Sequence, residues 1–233
     1  MKKAVVLLSG GLDSTTTLFW AKAKGYRVEA LSVHYGQRHH CELKAARRVA
    51  KLAGVALHEL TVSLPWLSSS SLVDKKKRLP HMKLEKIGQG GIPSTYVPGR
   101  NTIFLSFGMS LADAIGAEAI VIGANALDYS GYPDCRPDYL KAFERVAAKG
   151  TARGDAGKRL KILSPLLRLS KKQIVELGMK LNAPLNATWS CYAGGTTVCG
   201  LCDSCMLRAK GFSAAGVPDP ALKDFRLKAE ISR

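Results

Sequence analysis

Lys3–Leu8 is an apolar run that breaks at once into Ser9 and two glycines, and a helical stretch follows from about Asp13 to Lys24, ending at Gly25. Val28–Val33 reads as a second strand. The spacing then predicts a helix from Cys41 to Leu52, with Glu42 in its first turn and Gly54 after its last. His58–Val62 alternates like a third strand. Helical periodicity resumes over Asn101–Ile115, Glu118–Ile122 is a fourth strand, Tyr139–Lys149 is helical, and Lys161–Leu163 is a short fifth strand. Ser170 reads as the N-cap of a helix to Leu181, stopped before Pro184. Strands alternating with helices imply a parallel sheet with right-handed crossovers and helices on both faces.

Two stretches break the alternation. Leu64–Pro98 carries four consecutive serines (Ser68–Ser71), the basic run Lys75–Arg78, a glycine cluster and several prolines, and reads as a long insertion with at most a short helix. The tail from Trp189 onward is cysteine-rich. The expected organisation is therefore an α/β domain over residues 1–188 with an insertion near 64–98, and a small metal-binding segment over 189–233.

The strongest local signal is Ser9-Gly10-Gly11-Leu12-Asp13-Ser14, between a buried strand and a helix. Glycines let the backbone turn tightly, and the helix start offers free N–H groups and a positive dipole to an anion. The hydroxyls of Ser9 and Ser14 are further donors. This is a phosphate cradle without the lysine of a Walker A loop. The bland alternative is a glycine turn with Asp13 or Ser14 as a plain cap. The motif resembles the PP-loop of N-type ATP pyrophosphatases, which implies AMP and pyrophosphate as products, with Mg²⁺ on the phosphates.

Cys191, Cys199, Cys202 and Cys205 form C-x7-C-x2-C-x2-C. Four thiolates close a tetrahedral zinc site, which would then be structural. An iron–sulfur cluster and unliganded thiols are the other readings. Cys41 and Cys135 read as packing residues. Three polar segments follow strand ends or precede a helix: His34–His39, Pro98–Asn101 and Asp128–Arg136. Ligands of open α/β sheets sit beyond the carboxyl ends of the strands, so these segments map to the edge that carries the glycine loop.

Composition bounds the picture. The chain has 233 residues, 46% hydrophobic and 23% charged, with no stretch approaching 18 apolar residues. Lys2 and Lys3 before five apolar residues imitate a signal peptide but lack its length, so the expectation is a cytoplasmic enzyme with no membrane partner. The 35 Lys and Arg against 18 Asp and Glu give +17, an excess concentrated in Lys141–Lys172, where ten bases meet two acids. Such runs are usually solvated faces, although nucleic acid is a partner the charge leaves open.

Taken together, SGGLDS, YGQRH, VPGRN, SGYPDCR, Ser170-Lys171 and SCY…CGLCDSC resemble the QueC/ExsB family of 7-cyano-7-deazaguanine synthases, over Lys3 to about Phe212. The resemblance implies a Rossmann-like fold of the adenine nucleotide alpha hydrolase type and a C–N ligase. Its expected reaction converts 7-carboxy-7-deazaguanine, ammonia and ATP to the nitrile preQ0, in queuosine biosynthesis, with one structural Zn²⁺ per chain, Mg²⁺ with ATP, and a homodimer. It assigns ATP to Leu8, Ser9, Gly10, Gly11, Leu12, Asp13, Ser14, Thr15 and Gly123, and catalysis to Ser9, Asp13, Ser14, Arg100 and Lys171. The substrate is expected at Gln37, Arg38, His39, Asn101, Asp128, Tyr132, Asp134 and Arg136, with Asp134 accepting from the exocyclic amine of the base. Zinc falls to Cys191, Cys199, Cys202 and Cys205. A tRNA-modifying PP-loop ATPase of thiolation or lysidine type would account for the charge more directly. A non-enzymatic zinc module that binds nucleic acid would account for the charge and the cysteines but not for SGGLDS.

Overall fold

A computed structural model describes residues 1–38, 41–81, 84, 87, 91–125 and 132–220. Five strands, β1 (Lys3–Leu7), β2 (Arg27–His34), β3 (Ala56–Thr61), β4 (Ala119–Val121) and β5 (Lys161–Leu163), form one sheet in the order β3-β2-β1-β4-β5. Every pairing is parallel: Ala4 lies opposite Val28 on one side and Ala119 on the other, and Ala119 opposite Lys161. β1 is hydrophobic throughout because both its faces are covered. Val5 and Leu7 point into a core with Leu105, Ile120, Phe143 and Ile162, whereas Ala4, Val6 and Leu8 meet Leu18, Ala21, Ala46 and Val49.

Those two cores place α1 (Leu12–Ala23) and α2 (Cys41–Ala53) on one face, and α3 (Arg100–Ala114) and α4 (Pro137–Gly150) on the other. The short α5 (Ala152–Asp155) follows α4 directly. Ser170 caps α6 (Lys171–Lys180) through a capping box: its hydroxyl accepts from Gln173 N, and Gln173 Oε1 accepts from Ser170 N at 2.8 Å.

The elements match the hydrophobic pattern with shifts at the ends. Helix α4 begins at Pro137, two residues before the expected Tyr139, because proline fits the first helical position. β3 starts at Ala56 instead of His58. The 64–98 segment is more organised than a plain loop. It holds a 3-10 turn over Pro65–Ser69, and Ser71 N donates to Ser94 O at 2.9 Å, which closes its two ends on each other. Leu67, Leu72 and Val97 bury against Tyr35, so the insertion stands over the carboxyl end of β2.

The cysteine-rich tail also differs from an appended segment. It contains α7 (Asp203–Ala214), which packs on α6, and Trp189 N donates to Gly10 O at 2.9 Å. The expected boundary at residue 188 thus marks a change of composition across which hydrogen bonds run.

Candidate active site

The strand order reverses between β1 and β4, the point where an open α/β sheet splays its exit loops and leaves a crevice. Leu8–Gly11 leaves β1 there and enters α1. Gly10 adopts φ +86°, in the left-handed region, with its back against α2. Ser9 Oγ accepts from Gly11 N at 3.2 Å and lies 3.1 Å from Ser14 Oγ, which donates to Gly11 O at 3.2 Å. The two hydroxyls therefore shape the loop as well as facing the crevice. Gly123 leaves β4 against the same turn; a Cβ there would stand 3.1 Å from Ser14 N.

The crevice encloses about 210 Å³. One wall is the loop, with Leu8, Ser9, Gly11, Leu12, Asp13 and Ser14; Gly123 and Asn125 adjoin it. Lys171, the first residue of α6, places its Nζ 2.9 Å from each carboxylate oxygen of Asp13, and its side chain is 9% exposed. Gly211 makes room for that side chain: a Cβ there would lie 2.5 Å from Lys171 Cγ.

The opposite wall is aromatic and basic. Tyr35 and Gln37 follow β2, Arg100, Asn101 and Phe104 open α3, and Tyr132 precedes the turn into α4. Gln37 Oε1 accepts from Tyr35 N at 2.9 Å, and Tyr132 OH pairs with Thr95 Oγ1 of the insertion at 2.9 Å. Burial works against the charge of Arg100, but attraction to the phenol oxygens of Tyr35, Tyr132 and Tyr192, with a hydrogen bond to Tyr35, outweighs it, so the guanidinium stays charged at every pH the fold meets. Burial also raises the phenols of Tyr35 and Tyr132, against the pull of Arg100. At neutral pH this wall is a fixed cation among neutral hydroxyls, a suitable counterpart for a carboxylate or phosphate.

Not every expected residue lines the crevice. Thr15 is buried within α1. Arg38 donates from Nη2 to Asp74 O at 2.5 Å and Lys77 O at 3.0 Å, and so fastens the insertion. Asp134 accepts from Asn101 N at 2.9 Å through Oδ2: its carboxylate is engaged at the positive end of α3 rather than offered to a base. Arg136 is exposed at the start of α4. His39 and Asp128 lie outside the described residues. Cys135 packs at the crevice floor, accepts from Asn101 Nδ2 at 3.2 Å, and has its thiol pushed up to about 11 by burial. Conversely, Phe104, Asn125, Trp189 and Arg208 line the crevice outside the residues expected there. Tyr35, Ser190 and Tyr192 line it as well; they belong to the YGQRH and SCY motifs but carried no expected role of their own.

Behind this wall the ligand sulfurs of Cys191, Cys199, Cys202 and Cys205 lie within 4.8 Å of one another. Tetrahedral zinc at about 2.3 Å from each sulfur would separate them by about 3.8 Å, so the donor set fits. Backbone N–H groups already point at the sulfurs: Cys199 N and Ala193 N at Cys191 Sγ, 3.2 and 3.4 Å, and Cys202 N at Cys199 Sγ, 3.3 Å. Such donors favour thiolates. Cys202 and Cys205 themselves donate toward Cys191, lowering its pKa while theirs rise.

The comparisons with known proteins bear on this geometry. The family model described as "Queuosine biosynthesis protein QueC" matches residues 3–216. The chain belongs to the QueC family. It is 51% identical to the 7-cyano-7-deazaguanine synthase of Nostoc punctiforme over 220 residues, covering 94% of this chain and 98% of that one. It is 50% identical to the 7-cyano-7-deazaguanine synthase of Acetivibrio thermocellus over 219 residues, covering 94% and 96%. Among solved structures, a predicted subunit of tRNA methyltransferase from Methanocaldococcus jannaschii matches with a TM-score of 0.50 at 17% identity, over 77% of this chain and 75% of that one. That likeness extends to the fold alone. The glycine loop and the Arg100 wall face each other across one crevice, and Tyr192, next to Cys191, joins its lining to the thiol cluster. Among the described residues no helix is long and apolar enough to cross a membrane.

Proposed function

We propose that this chain is a 7-cyano-7-deazaguanine synthase, a C–N ligase that uses ATP to convert 7-carboxy-7-deazaguanine and ammonia to the nitrile in queuosine biosynthesis. The observation that carries the reading is the crevice at the strand reversal, with the glycine loop on one wall and a tyrosine-ringed arginine on the other, in a chain matched over 94% of its length by a synthase of that name.

A carboxylate is a poor electrophile because its charge repels nucleophiles. Attack of its oxygen on the α-phosphorus of ATP expels pyrophosphate and leaves an acyl-adenylate. Ammonia adds to the acyl carbon, AMP departs with one carboxyl oxygen, and an amide remains. The amide oxygen attacks a second ATP, pyrophosphate leaves again, and loss of AMP with two N–H protons gives the nitrile. In this scheme the Ser9–Ser14 loop and the start of α1 hold the pyrophosphate, and Lys171 balances its charge from beside Asp13. Arg100 faces the substrate carboxylate. The neutral hydroxyls of Tyr35, Tyr132 and Tyr192 can donate to the acid and accept from the amide, so one pocket serves both intermediates. Mg²⁺ arriving with ATP would neutralise phosphate charge. Zn²⁺, held by the four thiolates, would supply no open position for chemistry and would act on structure. A homodimer and a cytoplasmic setting belong to the same family reading, and sedimentation of the purified protein tests the first.

The test incubates the protein with 7-carboxy-7-deazaguanine labelled with ¹⁸O in its carboxylate, ammonium and MgATP, without tRNA. The nitrile should form, AMP and pyrophosphate should accumulate, and both labels should appear in AMP. A requirement for tRNA, or ADP and phosphate as products, refutes the reading.

A further inference from the structure

Thr188–Ser190 is an extended strap between Cys191 and the turn at Leu185–Ala187, and it runs alongside the glycine loop, with Trp189 and Ser190 at the margin of the crevice. Trp189 N donates to Gly10 O at 2.9 Å, and Trp189 O lies 3.5 Å from where a Cβ on Gly11 would stand. The Gly10 carbonyl and the Gly11 N–H belong to one planar peptide and point to opposite sides. Holding the carbonyl on the strap therefore aims the amide the other way, toward Ser9 Oγ at the crevice. A flip of this peptide would turn a carbonyl dipole against any phosphate bound there.

Among the described residues the strap pairs with no strand. It is held by Arg208, on α7. Its Nη1 donates to Thr188 Oγ1 at 2.7 Å and to Ser190 Oγ at 3.2 Å, and its Nη2 to Leu185 O at 3.2 Å. Nε and Nη2 also bind the two carboxylate oxygens of Asp219 at 2.7 and 2.9 Å. The two side chains are 6% and 2% exposed. A buried ion pair is a poor source of net stability because both charges lose water, whereas a planar fork with several partners fixes direction well. The arginine lies one turn beyond Cys205, on a helix whose N-cap is Cys202, so the helix that aims it starts in the thiol cluster.

We propose that Arg208 is a positioning residue for ATP: through Thr188 and Ser190 it fixes the strap, and through Trp189 the strap fixes the Gly10–Gly11 peptide. The proposal rests on the reading of the glycine loop as the nucleotide site.

Two variants test it. Arg208→Lys keeps a cation beside Asp219 but loses the fork. The double variant Thr188→Val, Ser190→Ala leaves the Arg208–Asp219 pair intact and removes the two strap hydroxyls, and with them the bond that Thr188 Oγ1 donates to Leu185 O at 2.6 Å. Binding of α,β-methylene-ATP by calorimetry is measured with KM for ATP, KM for the deazapurine acid, zinc content and melting. Both variants should weaken analogue binding and raise the KM for ATP about tenfold, the loss of one to two buried hydrogen bonds, with the KM for the acid and the zinc content unchanged. A lowered melting point with unchanged ATP binding assigns Arg208 to stability alone and overturns the proposal. An equal rise in both KM values, or loss of zinc, overturns it too. If the parent protein itself fails to bind the analogue, the reading of the loop falls and this inference with it.

Discussion

Gly10→Ala is the sharpest test of how the loop is built. At φ +86° an L-residue costs about 1–2 kcal/mol. The added Cβ would also stand 2.5 Å from Ala46 N and 3.0 Å from Ala45 C, and would overlap the carbonyl oxygen of Glu42. All three atoms are backbone of α2, whose Ala46, Val49 and Ala50 are locked in the core, so the loop must be the part that yields. Restoring ordinary contact needs a shift of about 1 Å, and a misplacement of that size at a reacting group costs about 100-fold in rate. Gly11→Ala is the control: its φ is an ordinary −77°, and its Cβ would meet Ser9 Oγ at 3.3 Å and Trp189 O at 3.5 Å. Melting curves and kcat/KM for ATP are compared. Gly10→Ala should lose about 100-fold in kcat/KM and melt several degrees lower, while Gly11→Ala melts like the parent. A Gly10→Ala protein with parental melting and kcat/KM within about tenfold would show that the loop is not held against α2 as described.

Three further outcomes follow from the site. Lys171→Met leaves the Asp13 carboxylate without its partner in the crevice, so the KM for ATP should rise at least about tenfold and fall again in Lys171→Met, Asp13→Asn, which removes the stranded charge. With its thiol pushed up to about 11, Cys135 is almost wholly protonated at pH 8, so iodoacetamide should modify half-exposed Cys41 and spare Cys135; mass spectrometry of the digested protein reads this directly, and prompt alkylation of Cys135 would mean an open crevice floor. Cys202→Ser should lower zinc below one per chain and the melting point with it. Because Cys191 adjoins the strap, it should also weaken ATP binding; parental ATP affinity in the metal-free protein would separate the two sites.

The strands and the glycine loop were legible because each is a local signal: an apolar run, two glycines and a helix start within twelve residues. Helix α7 was not, since its buried face includes Arg208 and Gly211 along with Leu207 and Phe212, which erases the apolar period. The purposes of single charged residues were equally hidden. Arg38 follows β2 and Arg208 follows the cysteines, and nothing local tells their tasks apart. One fastens an insertion through the Asp74 and Lys77 carbonyls, and the other holds the strap through the hydroxyls of Thr188 and Ser190. Asp134 sits after a strand end where a base acceptor is expected, yet its partner is the amide of Asn101, 33 residues earlier. Long-range pairing decided each case, and neither spacing nor composition encodes it.

Part of the +17 charge, five lysines among the 35 Lys and Arg, has a structural account in the same terms. In a parallel sheet the helices run back against the strands, so α1, α2, α3 and α4 all end at the amino edge of the sheet, where their negative dipole ends gather. Lys22, Lys51 and Lys149 lie in the last turns of α1, α2 and α4, and Lys24 caps α1. Lys3 Nζ donates to Ile115 O at the end of α3 at 2.9 Å, and Lys22 Nζ to Ala53 O at the end of α2. A cation at such an end contributes about 0.3–1 kcal/mol. The crevice is at the opposite edge, and the five residues of β1 span about 16 Å at about 3.3 Å each, twice the Debye length of about 8 Å at physiological salt. The double variant Lys24→Glu, Lys149→Glu should therefore melt a few degrees lower and keep the KM for ATP within about twofold of the parent at that ionic strength. A rise of about fivefold or more that disappears in high salt would mean that the basic edge draws the anionic substrates in from a distance, and that the excess charge serves the site as well as the fold.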